Sequence, residues 1–283
     1  MPAMKSKLFF SFVIVCSAAA FSSRCEGAEV LSNLTDRVSV SAFADVQSAY
    51  YARGAIVDER PFSAQFVDVS FSLADNARIG GYAWSVSSMS QSGQSAKRRY
   101  AYNEVDYNLY GGYDFELAEG WNLVNRAALQ WVTLRGYRPR ADTIFEWQMS
   151  QALENPYVTP YYLLRRAYDQ TQWCYWQVGL RRTFELTDTV FLTLDFFGDL
   201  GDDRHFSSQY GIRPGGGSYG HGLMALNFTA RIDWMLTDNL GLYAFVHQFD
   251  IVSSAGRDAM EESRAPESRT DLTIGGVGVK VNF

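Results

Sequence analysis

Between Tyr102 and Leu117 every second residue is polar, small or acidic, with Glu104, Asp106, Asn108, Asp114 and Glu116 among them, while Val105, Tyr107, Leu109, Phe115 and Leu117 hold intervening positions. A two-residue period is the side-chain repeat of an extended strand, so this segment has one wet face and one apolar face. The same split recurs between Leu223 and Leu236, where Asn227, Thr229, Arg231 and Asp233 oppose Leu226, Phe228, Ile232 and Trp234. Arg37–Arg53, Phe62–Ala74, Arg78–Ser90, Trp121–Arg135, Gln172–Leu186, Val190–Asp199, Leu240–Ser253 and Thr270–Phe283 follow it with varying fidelity. The pattern therefore predicts ten strands. Twelve is the alternative, if Tyr157–Tyr168 pairs with the segment before it.

The connections alternate in length. Leu73-Ala74-Asp75-Asn76, Leu117-Ala118-Glu119-Gly120, Leu186-Thr187-Asp188-Thr189 and Leu236-Thr237-Asp238-Asn239 are tight and nearly repeat one another, and Asp and Asn suit such turns. Gly54–Pro61, Gln91–Tyr100, Gly136–Thr171, Leu200–Gly220 and Ser254–Arg269 are longer and polar. Short turns on one side, long loops on the other and an even strand count describe an antiparallel up-and-down transmembrane β-barrel with short periplasmic turns and long extracellular loops.

A soluble sandwich also alternates polar and apolar residues, but its strands usually run about five or six residues. The apolar faces here extend over segments twice that length, enough to cross a hydrocarbon layer at a tilt. Aromatics supply 15% of the chain, and Tyr50, Tyr51, Tyr100, Tyr102, Trp121, Trp131, Tyr137, Trp173, Trp176 and Trp234 fall near strand ends, as interfacial girdles require. With 25 basic against 31 acidic residues the chain is mildly acidic, which argues against a nucleic-acid binder.

Lys5 and Lys7 precede an apolar stretch from Leu8 to Ala20, too short to span as a helix but of secretory leader dimensions. Cleavage is expected after Ala20 or Gly27, giving a leader over 1–27 and a barrel over 28–283. Of Cys16, Cys25 and Cys174 only the last then remains, so no internal disulfide is expected. At the other end Val277, Val279, Val281 and Phe283 alternate, and the final Val279, Val281 and Phe283 resemble the terminal signal read by barrel-assembly machinery. Export to a bacterial outer membrane follows, with membrane lipid and that machinery as the expected partners.

Tyr50-Tyr51-Ala52-Arg53-Gly54, then Pro61 and Gln65, then Asn103-Glu104-Val105-Asp106-Tyr107 and Gly111-Gly112-Tyr113, resemble the opening of the TorF-type porin group. The resemblance covers Val38 to Tyr113 and implies a porin, with little mechanism attached.

The chemistry in the loops is thin. Asp199, Asp202, Asp203 and His205, with His221 nearby, suggest a water-activating or cation-binding group of the kind seen in omptin-type barrel proteases. The glycines Gly201, Gly211, Gly215, Gly216 and Gly217 argue instead for a solvated, mobile loop, a poor setting for catalysis. The closing bidentate Glu of a calcium loop is missing, and Ser218 with His221 lacks a third member. His247 reads as a packed or interfacial residue and Cys174 as a small lipid-facing one. No enzymatic activity, catalytic residue, metal or cofactor is expected.

If Phe283 faces lipid, the opposite register lines the lumen with Asp45, Asp68, Glu104, Asp106, Asp114, Glu116, Arg126, Arg181, Glu185, Asp195, Arg231, Asp233 and Lys280. The acids gather on one half of that wall. Such charges either border a thin channel for small hydrophilic solutes or ions, or pair and plug it, leaving a closed barrel that acts through its loops as adhesin, receptor or envelope component. Within Arg138–Thr159, the Thr143–Leu153 stretch is expected to form a short amphipathic helix that narrows the pore or meets a partner.

Overall fold

The computed structural model describes residues 37–58, 60–89, 103–135, 142–168, 172–210, 220–254, 257–258 and 270–283. The leader and its cleavage positions, Tyr100, Tyr102, Tyr137, Gly211, the glycines at 215–217 and Ser218 lie outside the described residues.

The strands are β1 (Val38–Gln47), β2 (Tyr50–Ala52), β3 (Ala55–Asp58), β4 (Phe62–Ala74), β5 (Ala77–Ser88), β6 (Asn103–Ala118), β7 (Trp121–Arg135), β8 (Asp142–Glu154), β9 (Thr159–Ala167), β10 (Cys174–Thr187), β11 (Val190–Gly201), β12 (Gly222–Met235), β13 (Leu240–Ile251) and β14 (Asp271–Asn282). A helix, α1, spans Asp203–Tyr210. Apart from β2 and β3, the strands form a single closed antiparallel barrel of twelve, each paired with its chain neighbours. Closure comes from β1, which pairs with β4 on one side and β14 on the other. A closed ladder satisfies every strand's backbone groups from within, which a bilayer interior demands.

The expected count of ten is corrected to twelve. The stretch expected as an amphipathic helix is β8, which pairs along its length with β7, and β9 follows it back across the wall. Phe145, Trp147 and Met149 carry both a helical and a two-residue reading, but the unpaired edge of β7 needs a partner strand, and that need decides. Asn155 and Pro156 make the turn between them. The Asn155 side chain accepts from the backbone N–H of Tyr157 and Val158 and donates to the carbonyls of Leu153 and Val158.

The short turns are held by hydroxyls in two of the four repeats. Thr187 Oγ1 accepts from the N–H of Thr189 and Val190, and Thr237 Oγ1 accepts in the same way from Asn239 and Leu240. Gly120 supplies the positive φ, 74°, of a third. The register slips by one residue beside three of these turns, at Ser72/Ala74, Glu116/Ala118 and Glu185/Thr187, which frees Leu73, Leu117 and Leu186 to project from the barrel base.

The register sorts the side chains into two faces. Val46, Val69, Ile79, Leu109, Leu129, Val178, Leu180, Ile232, Val246 and Val277 share the outer face, and Leu109 and Val277 are 60% and 63% exposed. An apolar belt this continuous is covered by lipid in a transmembrane barrel. Trp121, Trp131, Trp176 and Trp234 also point outward. Tyr50, Tyr51 and Trp173 do not join a girdle: Tyr50 and Trp173 are buried inside, and Tyr51 packs there against Phe249 and His247. Phe283 is exposed on the outside, where its N–H and carbonyl both pair with Val40.

Inside, aromatic rings lie over glycines of the adjacent strand. Tyr110 covers Gly80, Tyr161 covers Gly179, Tyr243 covers Gly278 and Phe245 covers Gly276. Each glycine leaves room for a flat ring against the wall, so large side chains line the lumen without closing it.

Candidate functional site

Lumen-facing positions follow from the pairing of Asp45 with Gly278, Asp68 with Tyr82, Asp106 with Trp84 and Val132, Gly112 with Arg126, Arg181 with Asp195, and Asp233 with Tyr243. The same parity carries Glu104, Asp114, Glu116, Glu185, Arg231 and Lys280. It also carries Arg78, Glu146 and Arg165, which belong to the lining but escaped the sequence reading.

Toward the short-turn end the lumen charges pair locally, with Arg181 and Arg78 wet and Asp45 and Asp233 buried. Arg231 grips Asp233 with Nε and Nη2 at 3.0 and 2.7 Å, Lys280 Nζ reaches the same carboxylate at 2.6 Å, and the Arg231 guanidinium lies 3.9 Å over the Tyr243 ring. Arg181 donates twice to Asp195 Oδ2, at 2.9 and 2.8 Å, and Tyr161 donates to Asp195 Oδ1 at 2.8 Å. Arg78 pairs with Asp114. Asp45 accepts from Tyr243 at 2.7 Å and Asp68 from Tyr110 at 3.0 Å. Glu116 and Glu185 are exposed near the mouth. The acidic half expected from the sequence is thus broken up by Arg78 and Arg126, which stand among its carboxylates.

Between this end and the middle of the barrel lies a cavity of about 430 Å³, bordered by Phe66, Asp68, Asn108, Arg126, Gln148 and Ser150 among others. Above it the lumen is filled. The β2–β3 hairpin, part of the first long connection, folds inward and is not part of the barrel ladder. Val57 and Tyr50 of the hairpin segment pack against Phe62, Ala64 and Val86 of the wall. At its tip Arg53 has a left-handed φ of 55° and Gly54 one of 86°, with Gly54 close against Met224. A bulky residue in that region is held there only when its surroundings fix it.

Those surroundings are charged. Arg53 Nη2 stands 2.9 Å from Glu146 Oε1 and 3.9 Å from Glu104 Oε1, Arg165 Nη1 approaches Glu146 at 3.8 Å, and Tyr50 donates to Glu104 at 3.0 Å. Trp173 presents its ring 5.7 Å from the Arg53 guanidinium. Glu146 is 0% exposed and Glu104 3%. Burial opposes the Arg53 charge, but Glu146 and Glu104 outweigh it and push its pKa up.

A second knot braces the first. Asp199 accepts from Tyr51, Tyr175 and, at 2.7 Å, Asn227, whose own carbonyl oxygen lies 2.9 Å from His247 Nε2. Asp202 caps α1 by accepting from the His205 N–H at 2.7 Å and ties it to β10 through the Cys174 N–H at 2.9 Å. His205 and Asp199 are both 0% exposed, so the expectation of a solvated, mobile Asp-His loop is overturned for them. Their neighbours are Trp173, Tyr175 and the hairpin, and the His205 ring is spent on holding that hairpin. Exposed His221 is not gathered into this knot. Cys174 has the outward parity of β10, and His247 faces the lumen against Tyr51 and Phe197.

Arg53, Glu146 and Arg165 are the residues of this site that the sequence analysis does not single out, whereas Asp199 is named there as part of the Asp-His loop. The alternation Glu146, Gln148, Ser150 and Tyr161, Leu163, Arg165 was available as a signal for two of them. The inward fold of Arg53 had none beyond the positive-φ requirement before Gly54.

No protein-family model matches the chain, and no curated protein matches it. Among solved structures, the KdgM porin aligns with a TM-score of 0.45 at 9% identity over 87% of this chain and 99% of that one. The outer membrane phospholipase A from Escherichia coli aligns at 0.48 and 13% identity, over 89% and 96%. The COG4313 outer membrane channel from Pseudomonas putida F1 gives 0.55 at 10% identity, over 87% and 96%. This last likeness places the chain among porin-like outer-membrane β-barrel folds.

Proposed function

We propose that this protein is a narrow porin-like channel of a bacterial outer membrane, passing small hydrophilic solutes or ions and closed on its outer side by the first loop. The observation that carries the reading is the way the lumen is filled. The barrel ladder is complete without the β2–β3 hairpin, which is not hydrogen-bonded into it and packs above a polar cavity. Seating outside the ladder is reversible without breaking the wall, as a gate requires. The residues that resemble the TorF-type porin group include the tip of this hairpin, Tyr50 to Gly54, which supports the same reading. Export through the leader and assembly through Val279, Val281 and Phe283 complete it.

The filled outer half also favours a second reading, a closed barrel acting through its surface. Planar-bilayer recording across a salt gradient separates the two, with heat-modifiable gel migration as the folding control. The wild type should give small, infrequent current steps, and a variant with Tyr50–Asp58 replaced by a short Gly-Ser linker should give larger, persistent ones. A folded barrel that stays silent without the hairpin would leave only the second reading.

A further inference from the structure

The seat of Arg53 is built for a cation. Glu104, Asp106 and Glu146 come from the barrel wall and are 3%, 5% and 0% exposed, while among the described residues the wall base beside them is Arg165. The carboxylates outnumber the wall base, and the guanidinium that offsets them arrives from a loop. Neither oxygen of Glu146 receives a well-directed hydrogen bond, nor does Asp106 Oδ1, so the seat holds buried acceptor capacity that Arg53 meets by charge without filling it. Trp173 closes one side with an aromatic face, the surface on which organic cations are held.

We infer that this seat is a binding site for a guanidinium- or amine-bearing solute, and that Arg53 is a tethered occupant of it. The inference rests on the channel reading. A solute of this class, entering from either side, competes with Arg53 for Glu146 and Glu104. Its binding releases the hairpin tip, with the positive φ at Arg53 and Gly54 relaxing as the loop leaves. The solute thereby opens its own path. With Arg53 withdrawn, the ring at this level carries Glu104, Asp106 and Glu146 against Arg165, so the open state prefers cations.

The test uses the refolded full barrel as wild type, Arg53→Ala, Arg53→Lys and Arg53→Ala/Glu146→Gln, with methylguanidinium as the probe. Arg53→Lys should stay closed. Arg53→Ala should conduct with cation preference, and methylguanidinium should block it with an apparent affinity at least about tenfold tighter than in the double variant, the loss expected when a buried charged acceptor is neutralised. If Arg53→Ala conducts and methylguanidinium blocks both variants equally or neither, the binding site is refuted while the channel stands. If the folded Arg53→Ala barrel is silent, the hairpin is still seated by its other contacts, and the hairpin-free barrel decides the channel reading. The site is then judged by whether methylguanidinium raises the heat-modifiability temperature of Arg53→Ala but not of the double variant. Should Arg53→Ala fail to assemble, rescue of its folded form by methylguanidinium during refolding supports the site, and absence of rescue overturns it.

Discussion

His205 Nε2 meets the backbone carbonyl of Arg53 at 2.9 Å, joining a helix of one long connection to the hairpin tip of another across 152 residues of chain. A carbonyl only accepts, so Nε2 carries a proton, while the buried Nδ1 has no hydrogen-bond partner and the ring is held neutral. Burial, helped by the charges of Arg53 and Arg165 and opposed by the Arg53 carbonyl, pushes the His205 pKa down to about 3.

That shift makes hairpin seating pH-dependent. Released into water the ring protonates near pH 6.5, whereas docked it stays neutral until about 3. The His205 contribution is therefore whole above pH 6.5 and is lost as pH falls through the window between the two values, at up to about tenfold per pH unit for one proton. Arg53, Arg165, Asp202 and Tyr175 are the charged or titratable groups around it, and Glu104 and Glu146 hold Arg53 from the wall. Channel openings in the wild type should become more frequent as pH is lowered from 6.5 to 4. His205→Gln, which keeps a donor for the Arg53 carbonyl without titrating, should show a shallower rise. Equal slopes would remove His205 from the mechanism.

The ring-over-glycine contacts predict a stability effect confined to covered glycines. A Cβ added at Gly278 would lie 2.5 Å from the Tyr243 ring and 2.7 Å from the Ala44 carbonyl. To make room, Tyr243 must swing off the wall and surrender its bond to Asp45. Gly278→Ala should cost about 1–3 kcal/mol, the range for overpacking a well-filled site. At Gly111, on the outer face, the nearest atom to an added Cβ is 4.0 Å away, so Gly111→Ala should be neutral or mildly stabilising. Urea midpoints of the refolded barrels measure both, and a Gly278→Ala midpoint equal to wild type would mean the ring contact contributes nothing.

How much of this was legible before the structure depends on what each residue's periodicity was competing with. The lumen register from Asp45 to Lys280 could be read because parity propagates through long, uninterrupted strands, and one slip would have turned every side chain over. The Asn155-Pro156 turn and Pro160 broke the pattern where β8 meets β9, so local turn chemistry masked two strands. Arg53 was read as the end of a straight strand because nothing in Tyr50-Tyr51-Ala52-Arg53 differs from a girdle-tipped strand end. Its partners Glu104 and Glu146 lie on strands far along the chain, and a cross-lumen contact of that kind leaves no periodic trace. His205 and Asp199 looked solvated because Asp and Gly surround them, whereas burial here comes from a distant loop folding onto them.

Arg181 offers a direct reading of lumen conduction. It donates twice to Asp195 and its guanidinium lies 4.9 Å from the Tyr161 ring, yet its side chain is 52% exposed in the lumen. Arg181→Glu would place two carboxylates together in the lumen wall and change the local charge by two. In the conducting form, the reversal potential in a salt gradient should move toward cation preference. Because the site is wet, the effect should shrink as salt rises and the screening length falls below about 8 Å. An unmoved reversal potential at low salt would mean that current does not pass this level of the lumen.

The strand assignment of β8 has its own test, since a helix and a strand put different residues on one face. In the strand, Glu146, Gln148 and Ser150 face the lumen while Phe145, Trp147 and Met149 face outward. In a helix, residues three and four apart share a face, so 146, 149 and 150 would be exposed together. Single cysteines at 147, 148, 149 and 150, in mature protein carrying Cys174→Ser, distinguish these arrangements with a membrane-impermeant thiol reagent. Positions 148 and 150 should label through the aqueous lumen once the hairpin is removed, and 147 and 149 should stay protected by lipid. Labelling of 149 alongside 150, with 148 protected, would return this stretch to a helix and leave the barrel without the paired partner that closes β7 against β8.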